Sequence, residues 1–290
     1  MNDKPLHLEK QSDQEKCVTW PMYLARTYLR FGRMKSGAPL PQALMYHSIS
    51  RPTGENDALC TSPERFENQM LYLKRRNLRG VSMKELLLAM CAGDAGGLIA
   101  LTFDDGYEDF LSAALPTLER LGFSATVFVV AGMLGKENTW EHRGGPRRRL
   151  RLLEANGVRE ISERGMEVGS HTVTHPRLPS LDPETLVHEV RDSRRVLSEI
   201  GGAPVEGFCY PYGDLSGPAV RAARSAGYLY AVGTKKSIAY GLHDWPRTYV
   251  GEKDSPLRFG VKLRARSLLN RLTKYSANTG VGARSRIFKP

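Results

Sequence analysis

From Pro39 onward the chain alternates short apolar runs with longer helical patterns over about 200 residues, and this alternation narrows the possible fold more than any other feature. Ala43–Tyr46, Leu98–Phe103 and Ala125–Val130 read as buried strands, the last β-branched and aromatic throughout its centre. Met166–Gly169, Val205–Tyr210 and Tyr228–Val232 are shorter strand patterns. Between them, Ser62-Pro63 opens a helix as N-cap and first-turn proline, running to about Arg76. Glu108–Leu121 is stopped by Gly122, and Pro218–Ala226 by Gly227. Pro183–Ile200 carries Leu186, Val190 and Leu197 on one face and ends at Gly201-Gly202. Strands separated by helices join in parallel through crossovers, which predicts an α/β fold, either a doubly wound sheet or a β/α barrel. In both, chemistry belongs at the carboxyl ends of the strands.

Charge divides the same chain into three parts. The net charge of +11 splits as +3 for residues 1–38, −1 for 39–252 and +9 for 253–290. The expected organisation is therefore a basic N-terminal extension (1–38), a nearly neutral body (39–252) and a basic amphipathic tail (253–290). A hydrophobic content of 41% supplies a large core and argues against disorder, a fibrous repeat or a disulfide miniprotein. Basicity invites a nucleic-acid or membrane reading. No nucleic-acid recognition motif accompanies it, so a nucleic-acid partner is not expected. Cys17, Cys60, Cys91 and Cys209 show no C-x-x-C spacing, which argues against a zinc ribbon or redox dithiol. Met1–Lys16 is charged throughout, with no apolar core of a secretory signal, and no stretch approaches the ~20 apolar residues that span a bilayer. The expected location is cytoplasmic.

Both ends carry helical amphipathic patterns. Trp20, Leu24, Tyr28 and Phe31 share one face, with Arg26, Arg30 and Arg33 on another; Val261, Ala265, Leu268, Leu269 and Leu272 form a stripe beside Lys262, Arg266 and Arg271. One reading packs these helices on the body with their basic sides in water. The sharper one is peripheral contact with an anionic membrane, at the inner membrane face.

Uncommon residues fall at the predicted strand ends. Thr102-Phe-Asp-Asp-Gly106 closes the second strand, and adjacent carboxylates in a low dielectric need positive charge nearby. A metal answers that need, with Asp105 as ligand and Asp104 free as a base; an N-cap pair for the helix from Glu108 is the plainer alternative. Gly106 lets the backbone turn sharply. His171 and His175, four apart in Ser170–His175, can aim two imidazoles at one ion, or else be two exposed loop histidines. Two histidines and one carboxylate leave coordination positions open for water and substrate. His47, after the first strand in Met45–Ser48, reaches the same face unless it is a structural histidine. The proline and glycine of Phe208–Gly213 shape a turn whose backbone N–H groups can face the site.

Taken together, Thr102-Phe-Asp-Asp-Gly106, Ser170-His-Thr-Val-Thr-His175, Leu44-Met-Tyr-His-Ser48, Phe123–Phe128 and Tyr210-Pro-Tyr-Gly213 resemble the polysaccharide deacetylase family, carbohydrate esterase family 4, over about residues 40–250. The resemblance implies an incomplete (β/α) barrel of about seven parallel strands with the motifs at the strand carboxyl ends. It implies one divalent metal ion, with zinc as the expected ion, held by Asp105, His171 and His175. Asp104 would be the general base that takes a proton from the attacking water, and the Tyr212 backbone N–H would stabilise the oxyanion. Two departures matter. Cys209 stands where the family has an arginine that orients the catalytic aspartate; Trp245-Pro-Arg247 resembles a segment that offers one in a related branch, so Arg247 is the expected replacement. Leu242-His243 matches the family's last signature in letters. Yet the circularly permuted biofilm poly-N-acetylglucosamine deacetylases carry the acidic histidine on an early Tyr-His segment, so Tyr46-His47 assigns the general acid to His47, with His243 as runner-up.

The function implied is metal-dependent removal of the acetyl group from an N-acetylated glycan, glycolipid or glycoside. The alternative is a catalytically inactive, metal-dependent carbohydrate-binding protein. Trp140, Tyr212 and Trp245 are the aromatics that could stack on a sugar ring.

Overall fold

The computed structural model describes residues 40–54, 57, 59–140, 148–234 and 239–272. The amphipathic pattern at Trp20–Arg33 and Cys17 lie outside the described residues. The apolar runs become β1 (Gln42–Tyr46), β3 (Leu98–Phe103), β4 (Thr126–Val129), β5 (Glu167–Ser170), β6 (Gly207–Cys209) and β7 (Tyr230–Gly233). Three strands carry weaker patterns and are not foreseen: β2 (Arg79–Val81), β8 (Trp245–Pro246) and β9 (Thr248–Tyr249). All pairings are parallel, in the order β8-β7-β6-β5-β4-β3-β1-β9. β2 shares one edge of β3 with β4, taking its amino-terminal half while β4 takes its carboxyl-terminal half.

β8 and β9 explain how the sheet curls into a nearly closed barrel. Trp245 and Pro246 pair with Val232 and Gly233 on β7, whereas Thr248 and Tyr249 pair with Leu44 and Met45 on β1. One five-residue stretch thus bridges the two ends of the sheet. Arg247 is the residue at the switch.

The helices fill the crossovers: α1 (Pro63–Arg75), α2 (Met83–Ala92), α3 (Leu115–Leu121), α4 (Ala155–Glu163), α5 (Pro183–Gly201), α6 (Gly217–Ser225) and α7 (Pro256–Leu272). Ser62 caps α1 through its hydroxyl, and Asp182 caps α5 by accepting the Glu184 and Thr185 N–H groups, both at 3.0 Å. The pattern at Glu108–Leu121 splits into a π-helical turn, Phe110–Ala114, followed by α3. The turn is capped by neither Asp104 nor Asp105.

The core is layered between the barrel and α1. Tyr46 stacks on Phe103 at 5.4 Å, and Phe66 meets both rings edge-on at 5.3 and 5.7 Å. The buried Tyr46 hydroxyl donates to Gln69 Oε1 at 3.0 Å, and Gln69 Nε2 donates to the carbonyls of Gly251 and Asp254. That chain of bonds ties α1 to the segment before α7, satisfying polar groups that would otherwise be costly to bury.

Residues 253–272, set apart in the sequence by their charge, pack onto the barrel. Phe259 and Leu263 enter the main core, and the Leu263 carbonyl accepts from Gln42 Nε2 at 3.0 Å. The expected tail stripe is not the packed face: Val261 and Leu268 are 58% and 61% exposed. The inner face is carried by Phe259 and Leu263 on the opposite side of the helix, with Phe259 edge-on to Tyr72 at 5.7 Å. The side chains of Leu269 and Leu272 lie outside the described residues.

Candidate active site

The motifs converge because each follows a parallel strand, and parallel strands deliver their carboxyl ends to one end of the barrel. His47 follows β1, Asp104 and Asp105 follow β3, His171 and His175 follow β5, and Tyr212 follows β6. A cavity of about 400 Å³ is lined by His47, Asp104, Asp105, His171, His175 and Tyr212, together with Arg177, Asp214 and Thr234. A larger groove of about 730 Å³, by Leu40, Leu98 and Leu263, has no carboxylate, histidine or cysteine in its lining and carries no comparable chemistry.

The backbone around the cavity is under tension. Among the described residues, five non-glycine residues have left-handed φ, and four are here: Asp105 at 73°, Thr172 at 69°, His175 at 63° and Tyr212 at 59°. Such conformations persist only where surrounding bonds impose them, and they cluster at functional sites. Glu189 on α5 supplies part of that restraint. Its Oε2 accepts the N–H groups of Val173 and Thr174 at 2.8 and 2.9 Å, and its Oε1 accepts the Thr174 hydroxyl at 2.6 Å. Thr172 Oγ1 accepts the His175 N–H at 3.0 Å. Next to Asp105, Gly106 has φ +71°, and a β-carbon there would meet the Val129 backbone at 3.2 Å.

Asp105, His171 and His175 are all buried, and their ligand atoms lie within 4.8 Å of one another. Both imidazole Nε2 atoms stand 3.4 Å from Asp105 Oδ1. His171 Nδ1 lies 2.8 Å from the Cys209 carbonyl, which can only accept. Nδ1 is therefore the protonated nitrogen, and Nε2 carries its lone pair toward Asp105 whenever the ring is neutral. Asp105 Oδ2 is buried with no hydrogen-bond partner among the described residues. Burial works against charge at both Asp105 and His171. Even so, the histidines hold Asp105 far below the carboxylate range, while Cys209 and Asp105 raise His171 well above an ordinary histidine. The pocket favours a carboxylate facing positive charge, and two imidazoles with one carboxylate fit a divalent metal ion.

Asp104 is held separately. Arg247 Nη1 donates to Asp104 Oδ1 at 2.5 Å and Nη2 to Oδ2 at 2.7 Å. Nη1 also reaches Thr102 Oγ1, and Nε reaches the Gly233 carbonyl. Nη2 lies 3.1 Å from Cys209 Sγ, and that thiol stands 3.5 Å from Asp104 Oδ2. Cys209 thus occupies the strand position while Arg247 supplies the guanidinium from the barrel closure. Burial alone would raise the Asp104 pKa; the Arg247 charge and hydrogen bonds outweigh it and hold the group below its ordinary value.

The two histidines weighed as general acid are separated in space. His47 lines the cavity, and burial lowers its pKa although Asp105 and Asp104 pull the other way. His243 is absent from the cavity lining. Its Nε2 donates to the Tyr228 carbonyl at 3.0 Å, and its own carbonyl accepts the Tyr210 hydroxyl. Burial lowers the His243 pKa to about 4. A histidine kept neutral in the fold resists protonation there but not in the unfolded chain. Its contribution to stability is complete above about pH 6.5 and is lost as pH falls toward 4, up to about 3 kcal/mol. His243→Gln, which keeps a donor, is expected to flatten this part of the acid-unfolding curve in urea titrations. An unchanged slope between pH 6.5 and 4 would refute it.

Of the aromatics, Trp245 is 1% exposed in the barrel core and cannot stack on a sugar. Trp140, 8% exposed, stacks on His175 at 4.4 Å and acts as a wall behind the ligand group. Tyr212 lines the cavity, edge-on to His175, with the Arg177 guanidinium 4.1 Å over its ring. Sequence reasoning missed Glu189, Arg177 and Asp109. Glu189 left a signal, an acid three residues from Leu186 on the apolar face of its helix. Asp109 clamps the loop after His47, accepting the Ser48 hydroxyl at 2.5 Å and the Ile49 N–H at 3.0 Å.

Comparisons with known proteins agree with this geometry. Residues 93–231 match the polysaccharide deacetylase family. YxkH of Bacillus subtilis (strain 168) is 29% identical over 233 residues, covering 79% of this chain and 77% of that protein. The poly-beta-1,6-N-acetyl-D-glucosamine N-deacetylase of Staphylococcus aureus (strain N315) is 21% identical over 229 residues, covering 77% and 78%. The Streptococcus pyogenes deacetylase PplD, solved with acetate, superposes with a TM-score of 0.67 at 26% identity, covering 78% of this chain and 99% of that one. IcaB from Ammonifex degensii shares the fold, with a TM-score of 0.61 at 21% identity over 79% of this chain and 98% of that one. Residues 93–231 thus form a polysaccharide deacetylase family domain, and the chain around it is similar to poly-beta-1,6-N-acetyl-D-glucosamine N-deacetylases.

Proposed function

We propose that this chain hydrolyses the N-acetyl group of an N-acetylated sugar in a glycan, glycolipid or glycoside, releasing acetate and a free amine. The observation that carries the reading is one cavity holding a three-residue ligand group, an arginine-locked carboxylate and a histidine. Asp105, His171 and His175 would hold a divalent metal ion, with zinc as the expected ion for such donors. Bound there, it would supply Lewis acidity toward the acetamide carbonyl and acidify a water molecule. Asp104, kept ionised by Arg247, accepts the proton of the attacking water. His47 gives a proton to the sugar nitrogen as the C–N bond breaks. The Tyr212 N–H is the proposed donor to the developing oxyanion. A carboxylate base and an imidazolium acid predict a bell-shaped rate profile, falling on the alkaline side as His47 loses its proton.

The test is acetate release from N-acetylglucosamine oligomers and N-acetylated glycolipids with added divalent metal. Turnover is expected to fall by roughly 10²–10⁴ in His47→Ala and to persist in His243→Gln. Saturable sugar binding without acetate release would instead favour an inactive carbohydrate-binding protein.

A further inference from the structure

We propose that the outward face of α7 is a docking surface for an anionic lipid bilayer. A helix packed on a globular body normally has one apolar stripe, facing inward. α7 has two. Phe259 and Leu263 point into the core, while Leu257, Val261 and Leu268 are 80%, 58% and 61% exposed. These are the most exposed large hydrophobic side chains among the described residues. Ala265 is exposed on the same side, and at 100° per residue the four fall within an arc of roughly 80°. An apolar stripe left in water marks an interaction site.

Charge selects the occupant. Exposed Arg258 and Arg264 flank the stripe, and α7 contains no acidic residue. Asp254, beneath the helix, is buried and already paired with Arg258 and Lys262. Residues 253–290 carry ten Lys/Arg against one acid, and residues 1–38 carry seven against four. Covering the stripe with a second copy, or with the chain's own amino-terminal segment, would bring positive charge onto positive charge. An anionic leaflet reverses the sign of that term: the apolar stripe enters the acyl boundary and the arginines meet headgroup phosphates. Among the described residues no helix is long and apolar enough to cross a membrane, so α7 would lie along the surface.

Co-sedimentation of the full chain with lipid vesicles tests the proposal. Binding to phosphatidylcholine vesicles containing phosphatidylglycerol is expected to exceed binding to phosphatidylcholine alone by at least about tenfold and to weaken with salt. The triple variant Leu257→Glu, Val261→Glu, Leu268→Glu is expected to lose at least about tenfold in partitioning. Its thermal midpoint should stay at the wild-type value, because none of the three side chains enters the core. Arg258→Glu with Arg264→Glu should weaken binding to the anionic vesicles only. Three results would overturn the proposal: no wild-type binding to anionic vesicles, undiminished binding by the triple variant, or a wild-type dimer in gel filtration that the triple variant dissociates.

Discussion

Asp105→Asn is expected to empty the proposed metal site and to reduce acetate release by about 10³-fold or more, the scale of several kcal/mol of lost transition-state stabilisation. Asparagine is the informative replacement. Asp105 has φ +73°, and asparagine accepts that conformation far better than alanine would. Its amide matches the carboxylate in size, so the buried packing survives and charge is the variable removed. With the charge gone, His171 and His175 no longer face a carboxylate, and their affinity for a divalent ion falls. Metal content after dialysis, measured by mass spectrometry, separates the site from the chemistry. An Asn variant that retains one equivalent of metal and wild-type turnover would show that Asp105 is not a ligand.

The second large effect concerns Asp104 and Arg247. Asp104→Asn removes the proposed base and is expected to cost roughly 10²–10⁴ in turnover with metal content unchanged. It also strands a buried guanidinium, and breaking a buried pair costs about 3–5 kcal/mol of stability. Arg247→Ala strands the carboxylate instead. Burial then acts on Asp104 unopposed by its strongest partner, so its pKa rises. Since the reaction needs Asp104 ionised, the acidic limb of the rate profile should move to higher pH than in the wild type. Arg247→Lys keeps the charge but not the two-pronged contact, and should restore part of that shift. A fold defect alone would lower activity at every pH without moving the limb. An acidic limb fixed in place across all three proteins would rule out Arg247 as the group that tunes the base.

Much of the barrel was legible in the sequence because its strands are buried on both sides. Leu98–Phe103 and Thr126–Val129 read as unbroken apolar runs, and the glycines and N-caps between them marked the helix ends. β2, β8 and β9 were illegible because two or three residues are too few to show a periodicity. The helices Met83–Ala92 and Ala155–Glu163 went unread in the same way, lying beside stronger signals. The ligand group was readable because its spacing is local: His171 and His175 are four apart, and Asp104 and Asp105 are adjacent. The stripe in α7 was found by its period, but whether it packs inward or faces out was left open between two readings. Periodicity identifies a face and not what covers it; Phe259 and Leu263 face the core and Val261 faces outward, and only packing shows which.

The sequence by itself determined the resemblance to polysaccharide deacetylases, the parallel α/β alternation and the candidate ligands, because each is written in residues close together along the chain. What required the tertiary structure was every relation across long separations. Arg247 meets Asp104 from 143 residues away, at the point where the sheet changes partner from β7 to β1. His47 lies with the ligand group while His243 points its ring at Tyr228. Glu189 restrains the strained loop of His175 from a neighbouring helix. The reason is physical: hydrogen bonding, burial and charge depend on distance in space, and the closure of the barrel sets those distances.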